Sequence, residues 1–133
     1  MTAGLRGILP QAGLLVAAIL VAPSVVQGQG MGAKPQSTDV TVTGVVVDVS
    51  CKFGQGLTGA EHRMCAQVCA DRGIPLAILG DDGTLYIPTS AAMPGDAQNQ
   101  RLKEFAEQRV TVTGKAFSAG GARALEIATI RRA

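Results

Sequence analysis

Cys51, His62, Cys65 and Cys69 carry nearly all the metal-capable and nucleophilic chemistry of this chain. His62, Cys65 and Cys69 stand at i, i+3 and i+7, which places them on one stripe of a helix. Cys51 follows directly on a long β-branched run, within reach of a short loop. Three thiolates and one imidazole make a Cys₃His set suited to tetrahedral zinc. Soft sulfur equally suits Cu(I), and Met64 beside Cys65 offers a further soft donor. Cys51, His62, Cys65 and Cys69 are therefore the candidate metal ligands, for zinc or copper. The spacing H-x2-C-x3-C is not that of a zinc finger.

Other chemistry competes for the same residues. A cysteine on the apolar side of a helix can simply be a small core residue, and a histidine at a core edge can serve only to bond a backbone carbonyl. A redox-active thiol is a third reading. A disulfide is a fourth, and geometry narrows its choices. Residues i and i+4 of a helix hold their β-carbons about 6 Å apart, whereas a disulfide wants about 3.8 Å. Cys65–Cys69 is thereby disfavoured, and Cys51 with Cys65 or Cys69 is preferred. Such a bond would close a loop of about 14 to 18 residues, worth roughly 3 kcal/mol in the loop-entropy model. One thiol would remain free beside His62.

The elements that must position these residues are legible in outline. Val40 to Val49 (VTVTGVVVDV) reads as one long strand. Val40 and Val42 share a face, while Val45, Val47 and Val49 share the other, so the phase changes near Gly44 and implies a bulge or sharp coil there. Thr58-Gly59-Ala60-Glu61 reads as a capping box, with Thr58 as N-cap, and Gly73 with Pro75 as a C-terminal stop. The helix between them runs from Gly59 to Arg72. On it Met64, Val68, Cys65, Cys69, His62 and Ala66 form one arc expected to face the core, with Arg63, Gln67 and Asp71 opposite. Pro75 to Leu79 and Thr84 to Pro88 are short strands joined by an Asp82-Gly83 hairpin. A second helix spans Ala97 to Gln108. Arg109 to Phe117 and Ala124 to Ile130 are the last strands, around Ala119-Gly120-Gly121.

The resulting fold class is mostly β with two short helices. The order predicts a small five-stranded OB-like Greek-key barrel with an extra helix between strands 1 and 2. The helix before the fourth strand would plug the barrel through Leu102 and Phe105. The pentapeptide VTVTG occurs at Val40–Gly44 and again at Val110–Gly114, which we read as one solution to two similar strand bends. VTVTGVVVD, DDGTLYIP and RVTVTGKAF…GGARALEIATI together resemble the bacterial periplasmic OB-fold proteins, which implies a signal peptide and this barrel. The Cys/His helix departs from that pattern. The segment Cys51…His62-Arg-Met-Cys65-Ala-Gln-Val-Cys69…Gly73-x-Pro75 is similar to a motif of small exported bacterial proteins of unknown function, and implies no activity.

Residues 1–28 read as a signal peptide. Arg6 is the only charge, Ala12 to Ala22 is an apolar run about half the ~20 residues needed to span a bilayer, and Val26 and Gly28 stand at the −3 and −1 positions of a cleavage site. Residues 29–38 read as a disordered leader and 39–133 as the OB-like domain. The expected product is periplasmic or secreted, in a compartment where disulfides form, with no membrane association after signal-peptide cleavage. Charge is balanced, 12 basic against 10 acidic residues, and four aromatics are few for a stacking platform, so nucleic acid is not an expected partner. No G-x-S-x-G, P-loop, H-E-x-x-H or C-x-x-C occurs, so no catalytic residue and no enzyme activity is expected. The reading is an exported binding protein for an unidentified small ligand or protein, with a Cys/His metal cluster. The alternative is a non-catalytic structural domain stapled by a Cys51 disulfide.

Overall fold

The computed structural model describes residues 35–133. The expected signal peptide and most of the leader lie outside the described residues. No described helix is long and apolar enough to cross a membrane.

β1 (Ser37–Asp48), β2 (Leu76–Gly80), β3 (Leu85–Thr89), β4 (Arg109–Ala119) and β5 (Ala122–Arg132) close a barrel in the order β1-β2-β3-β5-β4. All pairs are antiparallel except β3 with β5. This is the five-stranded OB-like arrangement the element order predicts. The β2–β3 hairpin turns at Asp82-Gly83, where Gly83 takes φ +80° and the Asp82 carboxylate accepts the Thr84 amide. β1 begins at Ser37, two residues inside the stretch read as leader.

β1 is the strand shared between two partners. Residues 37–45 pair with β4 and residues 44–48 with β2, so Gly44 and Val45 pair on both sides. The two VTVTG segments prove to be cross-strand neighbours, Val40 opposite Gly114 through Gly44 opposite Val110. Each ends on a glycine for the same reason. A β-carbon on Gly44 would lie 2.3 Å from the Leu79 carbonyl oxygen, and one on Gly114 would lie 2.1 Å from that of Glu126. At Thr113/Gly114 the β4–β5 register also shifts by a bulge.

The barrel core gathers Val42, Val46, Ile78, Tyr86, Val110, Val112, Leu125 and Ile127, with Leu102 and Phe105 entering from the segment before β4. The expected plug is therefore present, though shorter than the helix expected from Ala97 to Gln108. It consists of α3 (Asn99–Leu102) and a 3₁₀ turn (Lys103–Phe105), ended by Glu107 at φ +57°. The expected change of phase in β1 is not found. Val42 and Val46 both point into the core, on the same parity as Val40. Val47 points the other way, as does its partner Ala77, and both are buried outside the barrel core because further chain, α1 and α2, packs on β1. The valine pattern thus reports two buried sides at the end of one strand.

Between β1 and β2 stand α1 (Val49–Gln55), a 3₁₀ turn (Ala60–His62) and α2 (Arg63–Asp71). Val49, read as strand, opens α1. That helix was signalled at both ends: Asp48 is its N-cap, accepting the Cys51 amide, and Gly56 ends it at φ +69°.

Gly114→Ala is expected to destabilise the fold by about 2 kcal/mol or more, because the obstacle is backbone on a paired strand. Gly54→Ala, where a β-carbon meets nothing within 4 Å, should be neutral. Urea denaturation of the two variants against the parent measures the difference.

Candidate metal centre

Cys51 is placed by the junction of β1 and α1. Asp48 ends the strand, and its Oδ1 accepts the Cys51 N–H at 3.1 Å, which starts the helix and fixes Cys51 one turn in. The Cys51 carbonyl then accepts the amides of Gly56 and Leu57, closing α1. Both Asp48 and Cys51 are buried.

His62, Cys65 and Cys69 are placed by α2 and the turn before it, and here the expected orientation is corrected. The buried residues of this segment are His62, Ala66 and Ala70, while Met64 and Val68 are exposed at 77% and 45%. The supposed outer residues do the docking. Gln67 Nε2 donates to the Lys103 carbonyl at 3.2 Å, Arg63 Nη2 donates to that of Glu104 at 2.8 Å, and Asp71 pairs with Lys103 at 2.6 Å. With two alanines at the contact and polar tethers on one flank, the cysteines occupy the opposite flank and Met64 points outward. Met64 is accordingly not among the converging donors.

The capping box is also replaced. Thr58 and Glu61 make no reciprocal cap. The carboxylate of Glu107 accepts the Thr58 hydroxyl at 3.0 Å and the Gly59 amide at 2.8 Å. A residue 48 positions away performs the task because its own amide bonds Val46 and its left-handed backbone turns it toward the loop. The other end of α2 closes as expected. Gly73, at φ +88°, donates to Ala70, and Ile74 donates to Cys69, forming a Schellman motif. Asn99 locks it to the barrel, donating to the Ala70 and Ile74 carbonyls and accepting the Leu76 amide.

The donors converge as two triads that meet at Cys51. The ligand atoms of Cys51, Cys65 and Cys69 lie within 4.8 Å of one another, and so do those of Asp48, Cys51 and His62. Cys51, Cys65 and Cys69 are thus brought together, His62 meets only Cys51 of the three in the second triad, and Asp48 is the donor that sequence reasoning missed. Its signal was available: an aspartate at a strand end, three residues before a cysteine, is an N-cap pattern. The three cysteines are free thiols, so the Cys51 staple is not formed in this structure. α2 is held by the Asn99, Gln67, Arg63 and Glu107 contacts instead.

Two polar atoms of the second triad are buried without a hydrogen-bond partner of good geometry, Asp48 Oδ2 and His62 Nε2. Burial pushes the Asp48 carboxyl up. The Cys51 amide, the Cys69 and Cys51 thiols and the Ser50 amide outweigh it and hold the group below 3.8. The thiols respond in the opposite sense. Desolvation, then the Asp48 carboxylate, raises Cys51. Cys69 is pushed up to about 12, first by its hydrogen bond to Asp48, then by burial and by the charge of Asp48. Without a metal, the carboxylate holds protons on two thiols. A cation would take their place and release them.

A groove of about 420 Å³ across β1, β4 and β5, lined by Asp39, Thr41, Thr113, Lys115 and Glu126 among others, shares no residue with this cluster. Comparison with family models, curated proteins and solved structures finds no match for the chain.

A thiol whose pKa is raised on folding stabilises the fold fully below its unfolded value of 9.0 and ceases to do so as pH rises toward about 12. The metal-free, reduced protein should therefore lose stability across that interval more steeply than Cys69→Ser, as read by urea midpoints. Exposed Cys65 should be alkylated before Cys51 and Cys69. Asp48→Asn should bring the Cys69 rate toward that of Cys65.

Proposed function

We propose that this chain is an exported, non-catalytic binding protein whose barrel carries a site for one thiophilic metal ion, zinc or copper. The observation that carries the reading is the meeting of two donor triads at Cys51, one of three thiols and one that adds a buried carboxylate and a buried imidazole, both with unpartnered atoms. Unpartnered buried polar atoms are costly, and a coordinated cation offsets that cost for both. Cysteine, histidine and aspartate are the donors that zinc accepts, and sulfur is what Cu(I) selects. Export rests on the apolar segment at Ala12 to Ala22 and the small residues Val26 and Gly28.

The same proximity supports a second reading. Cys51 lies within 4.8 Å of both helix cysteines, and an oxidising compartment would favour a bond to Cys65 or Cys69. The mass of the non-reduced protein separates the two, since a disulfide removes two hydrogens and leaves one alkylatable thiol.

Protein purified under reducing conditions is expected to hold zinc or copper at about one ion per chain by elemental analysis. Cys51→Ser should lower affinity by more than the roughly tenfold that loss of a supporting residue brings, because Cys51 belongs to both triads. Metal-free protein that fails to take up either ion on titration would refute the metal reading.

A further inference from the structure

We propose that the cluster offers two alternative ligand sets of unlike softness, sharing Cys51. Asp48 and His62 complete the set for a divalent ion, and Cys65 and Cys69 complete the set for Cu(I). This rests on the metal-binding reading above and assigns each side chain to an ion.

The geometry separates the donors. The sulfur triad contains no oxygen or nitrogen, and the Asp48–Cys51–His62 triad contains one oxygen, one sulfur and one nitrogen. The two triads meet only at Cys51. Asp48, Cys51 and His62 make a mixed oxygen, sulfur and nitrogen set of the kind zinc accepts. Cu(I) is monovalent and soft, is satisfied by thiolates alone, and takes little from a carboxylate.

Burial agrees with this division. Asp48 is fully buried and His62 nearly so. A divalent ion there neutralises more of its ligands' charge, as a dry setting requires. Three thiolates around a monovalent ion keep a larger excess of negative charge. Their third member, Cys65, is exposed, so water screens that excess. Each thiol that binds gives its proton to solvent, and neither ion changes oxidation state. Because the Cys51 thiolate is common to both sets, one ion excludes the other.

The test uses the reduced, metal-free full chain with Co(II) as the divalent probe and Ag(I) as a redox-inert monovalent probe. His62→Gln should weaken Co(II) by about tenfold or more and leave Ag(I) within about threefold, and Cys65→Ser should do the reverse. Ag(I) added to the Co(II) protein should bleach the thiolate-to-cobalt charge-transfer band in proportion to the Ag(I) bound. The ion that each variant retains shows that it has folded. Both variants weakening both ions alike would establish a single ligand set and overturn the proposal. So would Co(II) and Ag(I) bound together with the cobalt band intact. Either result leaves metal binding standing. Parent protein that binds neither probe would overturn metal binding itself, before any variant is compared.

Discussion

A carboxylate with no exposed surface sits where a barrel strand becomes a helix, and the site is arranged around it. Asp48 ends β1, caps α1 through the Cys51 amide, and stands in one donor group with Cys51 and His62. A buried anion is tolerated only when donors or cations surround it. The donor here is the amide of the adjacent helical turn, and Oδ2 has none. The local fold and the chemistry of the site are thereby one constraint: the group that starts the helix also fixes the cysteine shared by both triads.

The barrel contributes by holding α2 at one rotation. Ala66 and Ala70 let the helix approach closely, and Gln67, Arg63 and Asp71 bind it to the turn before β4. Asn99 closes one end and Glu107 the other. Every one of these partners is remote in sequence and belongs to the plug segment or its flanks. Two cysteines on α2 can therefore face a third on α1 without a covalent link. Ligands carried on elements whose own positions are locked give a defined site.

Much of the scaffold was legible because its rules are local. The Asp82-Gly83 turn, the stop at Gly73 and the glycines that end the two VTVTG segments each depend on a conformation or approach that only a few residue types allow. Leu102 and Phe105 were recognisable as the plug from their apolar spacing. Reading failed where a partner lay elsewhere. The arc through Met64 and Val68 reads as buried because apolar residues usually are, yet polar tethers win the docking side. Thr58 and Glu61 fit a capping box, yet Glu107 takes the Thr58 hydroxyl and the Gly59 amide instead. α1 was overlooked because Val49 prolongs a run of valines, although Asp48 and Gly56 mark both its ends.

By itself the sequence determined the strand order, the glycines that permit close backbone approach, and the presence of three soft or nitrogen donors at helical spacing with a fourth, Cys51, ahead of them. Those depend on residue type and on neighbours a few positions away. Only the tertiary structure decided which flank of α2 meets Cys51, that Asp48 joins the donors, and that they converge as two triads rather than one quartet. These outcomes depend on the rotation of a helix. That rotation is set by hydrogen bonds spanning 29 to 41 residues, a separation over which spacing along the chain carries no angle.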